Sequence, residues 1–198
     1  MCKSLLVLLL LSAGTSALQQ NTDMFVIFGS PGAGKSTVAD AVCSAMGPAA
    51  APLRLDLDVC VSQQMRENFA KGIYPTLEDR EIFAGEALDH VEDVLAAETP
   101  KQCLVSFSFV NTDLRDIYRR RFPHARWILY DVSPRLAEER MAAREGHFYK
   151  PDEVGNRGEE WEFAPVTFEH DQLNGQDPVP VNVEKLAAIL QGRRQHSS

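Results

Sequence analysis

The run Gly29, Ser30, Pro31, Gly32, Ala33, Gly34, Lys35, Ser36 constrains this chain more than any other feature of its 198 residues. It follows Met24–Phe28 (MFVIF), an apolar run that reads as a short, fully buried parallel strand. It precedes Thr37–Met46, where Val38, Ala41, Val42 and Ala45 recur at helical spacing before Gly47 and Pro48 stop the pattern. A strand, a turn spaced GxxxxGK[ST] and a helix in that order form a phosphate-binding loop. Glycines let backbone N–H groups converge on phosphate oxygens, and the helix N-terminus adds positive potential. In such a loop Lys35 reaches the β- and γ-phosphates and the Ser36 hydroxyl ligates magnesium, while Ser30, Pro31, Ala33 and Thr37 complete the cradle. The expected cofactors are therefore ATP and Mg²⁺.

The rest of the chain supports a three-layer α/β domain. Leu53–Leu57, Gln102–Phe109 and Trp127–Val132 are further strand candidates, and Val166–His170 is a weaker fifth. Helical stretches run over Val59–Lys71, Leu77–Ala97, Thr112–Phe122 and Val183–Leu190, with another opened by Ser133 and Pro134. Strands alternating with helices imply a parallel sheet of about five strands with right-handed crossovers, the P-loop NTPase architecture. A polar stretch from Glu145 to Pro165, holding Gly146, Gly155 and Gly158, breaks this rhythm and is expected to act as a lid.

Composition excludes several functions. With 44% hydrophobic and 24% charged residues the chain can build a full core. A formal net charge of −8 argues against a nucleic-acid surface, which needs clustered cations. Cys43, Cys60 and Cys103 are widely and irregularly spaced, which fits neither a disulfide framework nor a zinc site. Met1–Lys3, the apolar run Leu5–Leu11 and the small residues Thr15, Ser16 and Ala17 have the layout of a signal peptide over residues 1–17. That run is too short to span a bilayer, and no other segment is long and apolar enough. The expected destination is the secretory pathway or an organelle lumen, or the cytoplasm if the leader does not function.

Two further groups carry chemistry. Asp56 and Asp58 follow the second strand, and ligands of open α/β sheets bind at the carboxyl ends of strands. Carboxylates at i and i+2 can divide the work, one holding magnesium through water and the other taking a proton from an attacking hydroxyl. The alternative is a cap for the helix beginning at Val59. Arg140 and Arg144 lie four residues apart on one helical face, just before His147, Phe148 and Lys150. Arginines there can neutralise charge on a transferred phosphoryl, although Glu138 and Glu139 also suit an ordinary solvated face.

Taken together, these residues resemble the small P-loop carbohydrate kinases, gluconate kinases most closely and shikimate kinases more distantly. The likeness spans Met24 to about Pro165 and rests on Gly29–Ser36, on Leu55–Asp58 and on the spacing to Leu77–Arg80. It continues through Arg115 and Asp116 after the third strand and through the segment from Arg140 to Lys150. The resemblance implies a nucleoside-monophosphate-kinase-like core that phosphorylates a hydroxyl of a sugar acid or related polyol. It puts Asp56 near the metal and Asp58, Arg80, Arg115 and His147 on the acceptor, brings Arg140 and Arg144 to phosphates, and allows for a dimer. Three places depart from the gluconate-kinase pattern: Val61 replaces a His, Val110 and Asn111 replace a Lys pair, and Asn156 and Arg157 stand near an expected Gln-Phe. Other readings are a nucleotide- or shikimate-type kinase, or a nucleotide-binding protein without catalysis. The complete set of Lys35, Ser36, Asp58 and Arg140 favours a catalyst.

If the leader is cleaved, mass spectrometry of the native protein will find a mature N-terminus near Leu18; a chain still beginning at Met1 would contradict the leader.

Overall fold

The structure, a computed structural model, describes residues 22–143 and 162–192. Five strands form one parallel sheet: β1 (Asp23–Phe28), β2 (Leu53–Asp56), β3 (Gln102–Ser106), β4 (Arg126–Asp131) and β5 (Asp171–Asn174). Their spatial order is β2-β3-β1-β4-β5, so β1 lies at the centre and delivers its loop to the middle of the sheet's carboxyl edge. The helices are α1 (Lys35–Met46), α2 (Gln63–Ala70), α3 (Leu77–Glu98), α4 (Thr112–Arg121), α5 (Pro134–Ala142) and α6 (Val179–Leu190). Among the described residues no helix is long and apolar enough to cross a membrane.

Alternation along β1 divides the core between the two faces of the sheet. Met24, Val26 and Phe28 pack with Phe83, Val91 and Leu95 of α3 and Leu114 and Tyr118 of α4. Phe25 and Ile27 pack with Val38 and Val42 of α1 and Leu186 and Ile189 of α6. Each face of β1 is therefore covered by helices, which is why its sequence is an unbroken apolar run. Cys103, fully buried in β3, belongs to this core, and burial pushes its thiol up to about 12.

The strand expected at Val166–His170 is displaced to Asp171–Asn174. Asp171 sits opposite Ile128, and Leu173 opposite Tyr130. The upstream aromatics have other work: Phe168 stacks on Phe28 at 5.9 Å and meets Trp127 edge-on at 5.2 Å. An edge strand needs only one inward apolar residue here, Leu173, and an anchor, the Arg126–Asp171 ion pair at 2.6 Å. Two more boundaries shift. The third strand stops at Ser106, and Phe109 turns the chain at φ 47, in the left-handed region. The helix expected from Val59 becomes a 3₁₀ turn (Leu57–Cys60), followed by α2 with the Ser62 side chain as its cap.

Arg115, expected at the acceptor, instead bonds the turn at Phe109 and is 1% exposed. Its guanidinium donates to the carbonyls of Phe109 (2.7 Å), Val110 (2.9 Å), Ala164 (2.8 Å) and Pro165 (3.0 Å) and covers the Phe163 ring at 4.3 Å. Burial lowers its pKa to about 10, still far above neutrality, so the charge persists and is satisfied by carbonyl dipoles. It joins the β3–α4 loop to the segment around Pro165. Arg115→Ala leaves these carbonyls in a dry pocket and is expected to destabilise the fold by roughly 3–5 kcal/mol, read from the denaturant midpoint.

Candidate active site

The phosphate loop leaves β1 at Phe28 and enters α1 at Lys35, with two glycines making its curve. At Gly29 a Cβ would stand 2.4 Å from the Tyr130 carbonyl oxygen. At Gly32, where φ is 76, it would stand 2.4 Å from Met141 Cγ and 2.5 Å from the Ala137 oxygen. No other residue fits either place without moving α5 or β4. Lys35 is 8% exposed. Its ammonium donates to Gly29 O (3.0 Å), Ser30 O (2.9 Å) and Ser108 Oγ (3.2 Å), so it is held over the loop by oxygens of β1's and β3's carboxyl ends.

Immediately beside it, Ser36 Oγ donates to Asp56 Oδ2 at 2.7 Å. Asp56 also receives the Asp58 N–H at 3.1 Å and Arg54 Nη2 at 3.1 Å. Burial alone would raise the Asp56 pKa, but these hydrogen bonds and the Arg54 charge outweigh it and hold the carboxyl below its ordinary value. A hydroxyl and an ionised carboxylate side by side at a helix N-terminus are the hard oxygens that Mg²⁺ requires, so this pair fits the ion. The same side chain caps the 3₁₀ turn through the Asp58 N–H, so the capping and metal readings of this aspartate coexist.

Asp58 lines a cleft that opens beside the loop and also takes in Lys35, Ser36, Asp56, Arg80 and Asn111. Arg80 is already engaged, donating to Asp113 Oδ2 at 2.9 and 2.6 Å and to Pro75 O at 2.8 Å. Arg140 reaches back from α5 to the phosphate loop, donating to Ala33 O and, at 2.9 Å, to Gly175 O. It thereby ties the loop to the β5–α6 turn. Arg115 lies outside the cleft, while Arg144, His147 and Lys150 lie outside the described residues, as does the expected lid except for residues 162–165.

Several lining residues are absent from the sequence reading. Ser106 and Ser108 stand at the carboxyl end of β3, where the rule that singled out Asp56 would have found them. Tyr74, whose hydroxyl donates to Asn111 Oδ1, and the ring of Phe107 carry no local signal, because only packing brings α2, α3 and β3 together.

A central β1, a phosphate loop at the sheet's carboxyl edge and a carboxylate-bearing neighbouring strand define a P-loop NTPase of the small-kinase fold. The chain belongs to the family described as AAA domain, which matches residues 24–161. Among solved structures it is similar to an unliganded sugar kinase from Janibacter sp. HTCC2649, with 21% identity, TM-score 0.69 and coverage of 88% of this chain and 99% of that one. A gluconokinase from Sinorhizobium meliloti 1021 matches at 22% identity, TM-score 0.56 and coverage of 87% and 98%. The Mycobacterium tuberculosis APS kinase, solved with AMPPNP and APS, matches at 16% identity, TM-score 0.59 and coverage of 85% and 98%. At such identities the likeness establishes the fold, and these neighbours include the kinases that the sequence resembles. No curated protein matches the chain.

A carboxylate with a depressed pKa stabilises the fold fully above its unfolded value of about 3.9 and loses that contribution as pH falls through its folded value. The stability gap between wild type and Asp56→Asn should therefore be constant above about pH 5 and shrink toward pH 3, as followed by urea unfolding at each pH.

Proposed function

We propose that the protein transfers the γ-phosphoryl group of ATP to a hydroxyl of a small molecule. The observation that carries this reading is the convergence of Lys35, Ser36, Asp56 and Asp58 on one cleft beside the phosphate loop. The neighbours' names, a sugar kinase, a gluconokinase and an APS kinase, support it.

In this reading the phosphates lie on the loop's N–H groups and at the N-terminus of α1, and Lys35 balances the charge of the transferred group. Ser36 and Asp56 would hold Mg²⁺, which supplies further charge neutralisation. The acceptor oxygen attacks the γ-phosphorus, the bond from that phosphorus to the β–γ bridging oxygen breaks, and ADP leaves. Asp58 takes the acceptor's proton. Arg140 positions the loop through its bond to Ala33 O. The resemblance and the neighbours' names extend to acceptors of the sugar-acid or polyol type. Among the described lining residues the cations are Lys35, which belongs to the phosphate loop, and Arg80, which is paired with Asp113.

Lys35→Ala should abolish detectable phosphoryl transfer, and near-normal turnover would sink the assignment. Asp58→Asn keeps the shape but removes the base, so kcat should fall by about 10²–10⁴ with nucleotide affinity little changed. If Asp56→Asn lowers turnover more than Asp58→Asn does, the two carboxylates have exchanged roles.

A further inference from the structure

The cleft is two-sided in its chemistry. Most of its polar groups come from the phosphate loop and the strand ends, with Ser36 and Asp56 at the loop, Asp58 just beyond β2, and Ser106 and Ser108 at the end of β3. Arg80, Tyr74 and Asn111 add three more, and the Tyr74 hydroxyl is given to Asn111 Oδ1. Ser106 is 1% exposed and its hydroxyl has no hydrogen-bond partner among the described residues, although it lies in register with Asp56 on the adjacent strand. The opposite contribution comes from Val61, Met65, Phe69, Phe83, Phe107 and Leu114, all without a polar side-chain atom that could serve a sugar hydroxyl. Phe107 is half-buried at this wall, and the buried Phe83 ring supports it at 4.9 Å and 32°.

The one lining cation outside the phosphate loop, among the described residues, carries its own carboxylate. Arg80 gives Asp113 both Nε and Nη2, gives Pro75 O a third bond, and lies over the Tyr74 ring at 5.7 Å. An acid acceptor would have to displace Asp113 from a two-bonded ion pair whose side chains are only 16% and 26% exposed. A polyol would bring several hydroxyls against the carbon of these six apolar side chains, where the nearest polar pair, Tyr74 and Asn111, is already joined by its own hydrogen bond.

We propose that the acceptor is an uncharged alcohol whose hydroxyl is borne on a flat, largely apolar, aromatic body, and that Asp113 sets this preference by neutralising Arg80. The proposal rests on the phosphoryl-transfer reading and names its substrate class. The hydroxyl enters toward Asp58 and Ser106, while the body lies along Phe83 and Phe107. The reaction is the transfer already described: the alcohol oxygen gains the phosphoryl, Asp58 gains the proton and ADP departs.

The test uses the full chain with Mg-ATP and compares 2-phenylethanol and 4-methoxybenzyl alcohol with gluconate and sorbitol. Transfer of label from γ-labelled ATP gives kcat/KM, and ligand-observed NMR gives binding without turnover. The aromatic alcohols should lead by at least tenfold in kcat/KM; a lead by gluconate or sorbitol overturns the proposal. Phe107→Ala should weaken binding of the aromatic alcohols at least fivefold. Asp113→Asn should release Arg80 and raise gluconate affinity at least fivefold, a gain that Asp113→Asn combined with Arg80→Gln should lose. Gluconate affinity that ignores Asp113→Asn in a folded variant overturns Asp113's role. If nucleotide binds but no acceptor of any class is phosphorylated, the kinase reading fails by itself. The NMR comparison then decides the acceptor class: tighter aromatic binding supports it, and tighter gluconate or sorbitol binding overturns it.

Discussion

A lysine buried to 8% exposure, its ammonium held at the carboxyl edge of the sheet, makes the interaction on which the site depends. Lys35 has two loop carbonyls and one serine hydroxyl within 3.2 Å, and a charge so placed is tolerable only where dipoles converge on it. That convergence requires Gly29 and Gly32 to pass so close to Tyr130 and α5 that no Cβ fits between. It also requires Ser108 to arrive from β3. The central strand, its two neighbours and α5 are thus all committed to one curved loop, and Arg140 closes the arrangement by donating to Ala33 O.

Charges elsewhere are managed in two contrasting ways. Arg80, Arg54 and Arg126 meet carboxylates, so their positive charge is cancelled locally. Among the described residues Arg115 meets carbonyls and rings and remains a structural cation, holding the strained turn at Phe109 against the segment around Pro165. This difference shapes the cleft. The arginine that lines it is neutralised, Arg115 is buried outside it, and Phe83 and Phe107 contribute aromatic lining.

Local patterns were legible wherever one element sufficed to carry the signal. The apolar run of β1, the spacing of the phosphate loop and the Ser133-Pro134 helix start all appear in the structure where the chain announces them. The fifth strand was misplaced because Val166–His170 has a strand-like composition, yet Phe168 and His170 are drawn onto Phe28 and Trp127. Asp171–Asn174, mostly polar, pairs instead, since its register with β4 and its bond to Arg126 come from parts of the chain 40 residues away or more.

The same boundary runs through the site. The loop, its lysine and its serine are encoded in consecutive residues, because phosphate binding uses backbone N–H groups whose directions follow from glycine spacing and a helix start. Which arginines face the cleft is not encoded that way. Arg80 and Arg115 look alike in sequence, but one finds Asp113 on another helix and the other finds four carbonyls. Those partners lie 33 residues from Arg80 and up to 50 from Arg115. The composition of the acceptor wall likewise arises from three helices and a strand end meeting over one cavity. Long-range packing selects partners for side chains, and a linear pattern carries no record of that selection until the chain has closed on itself.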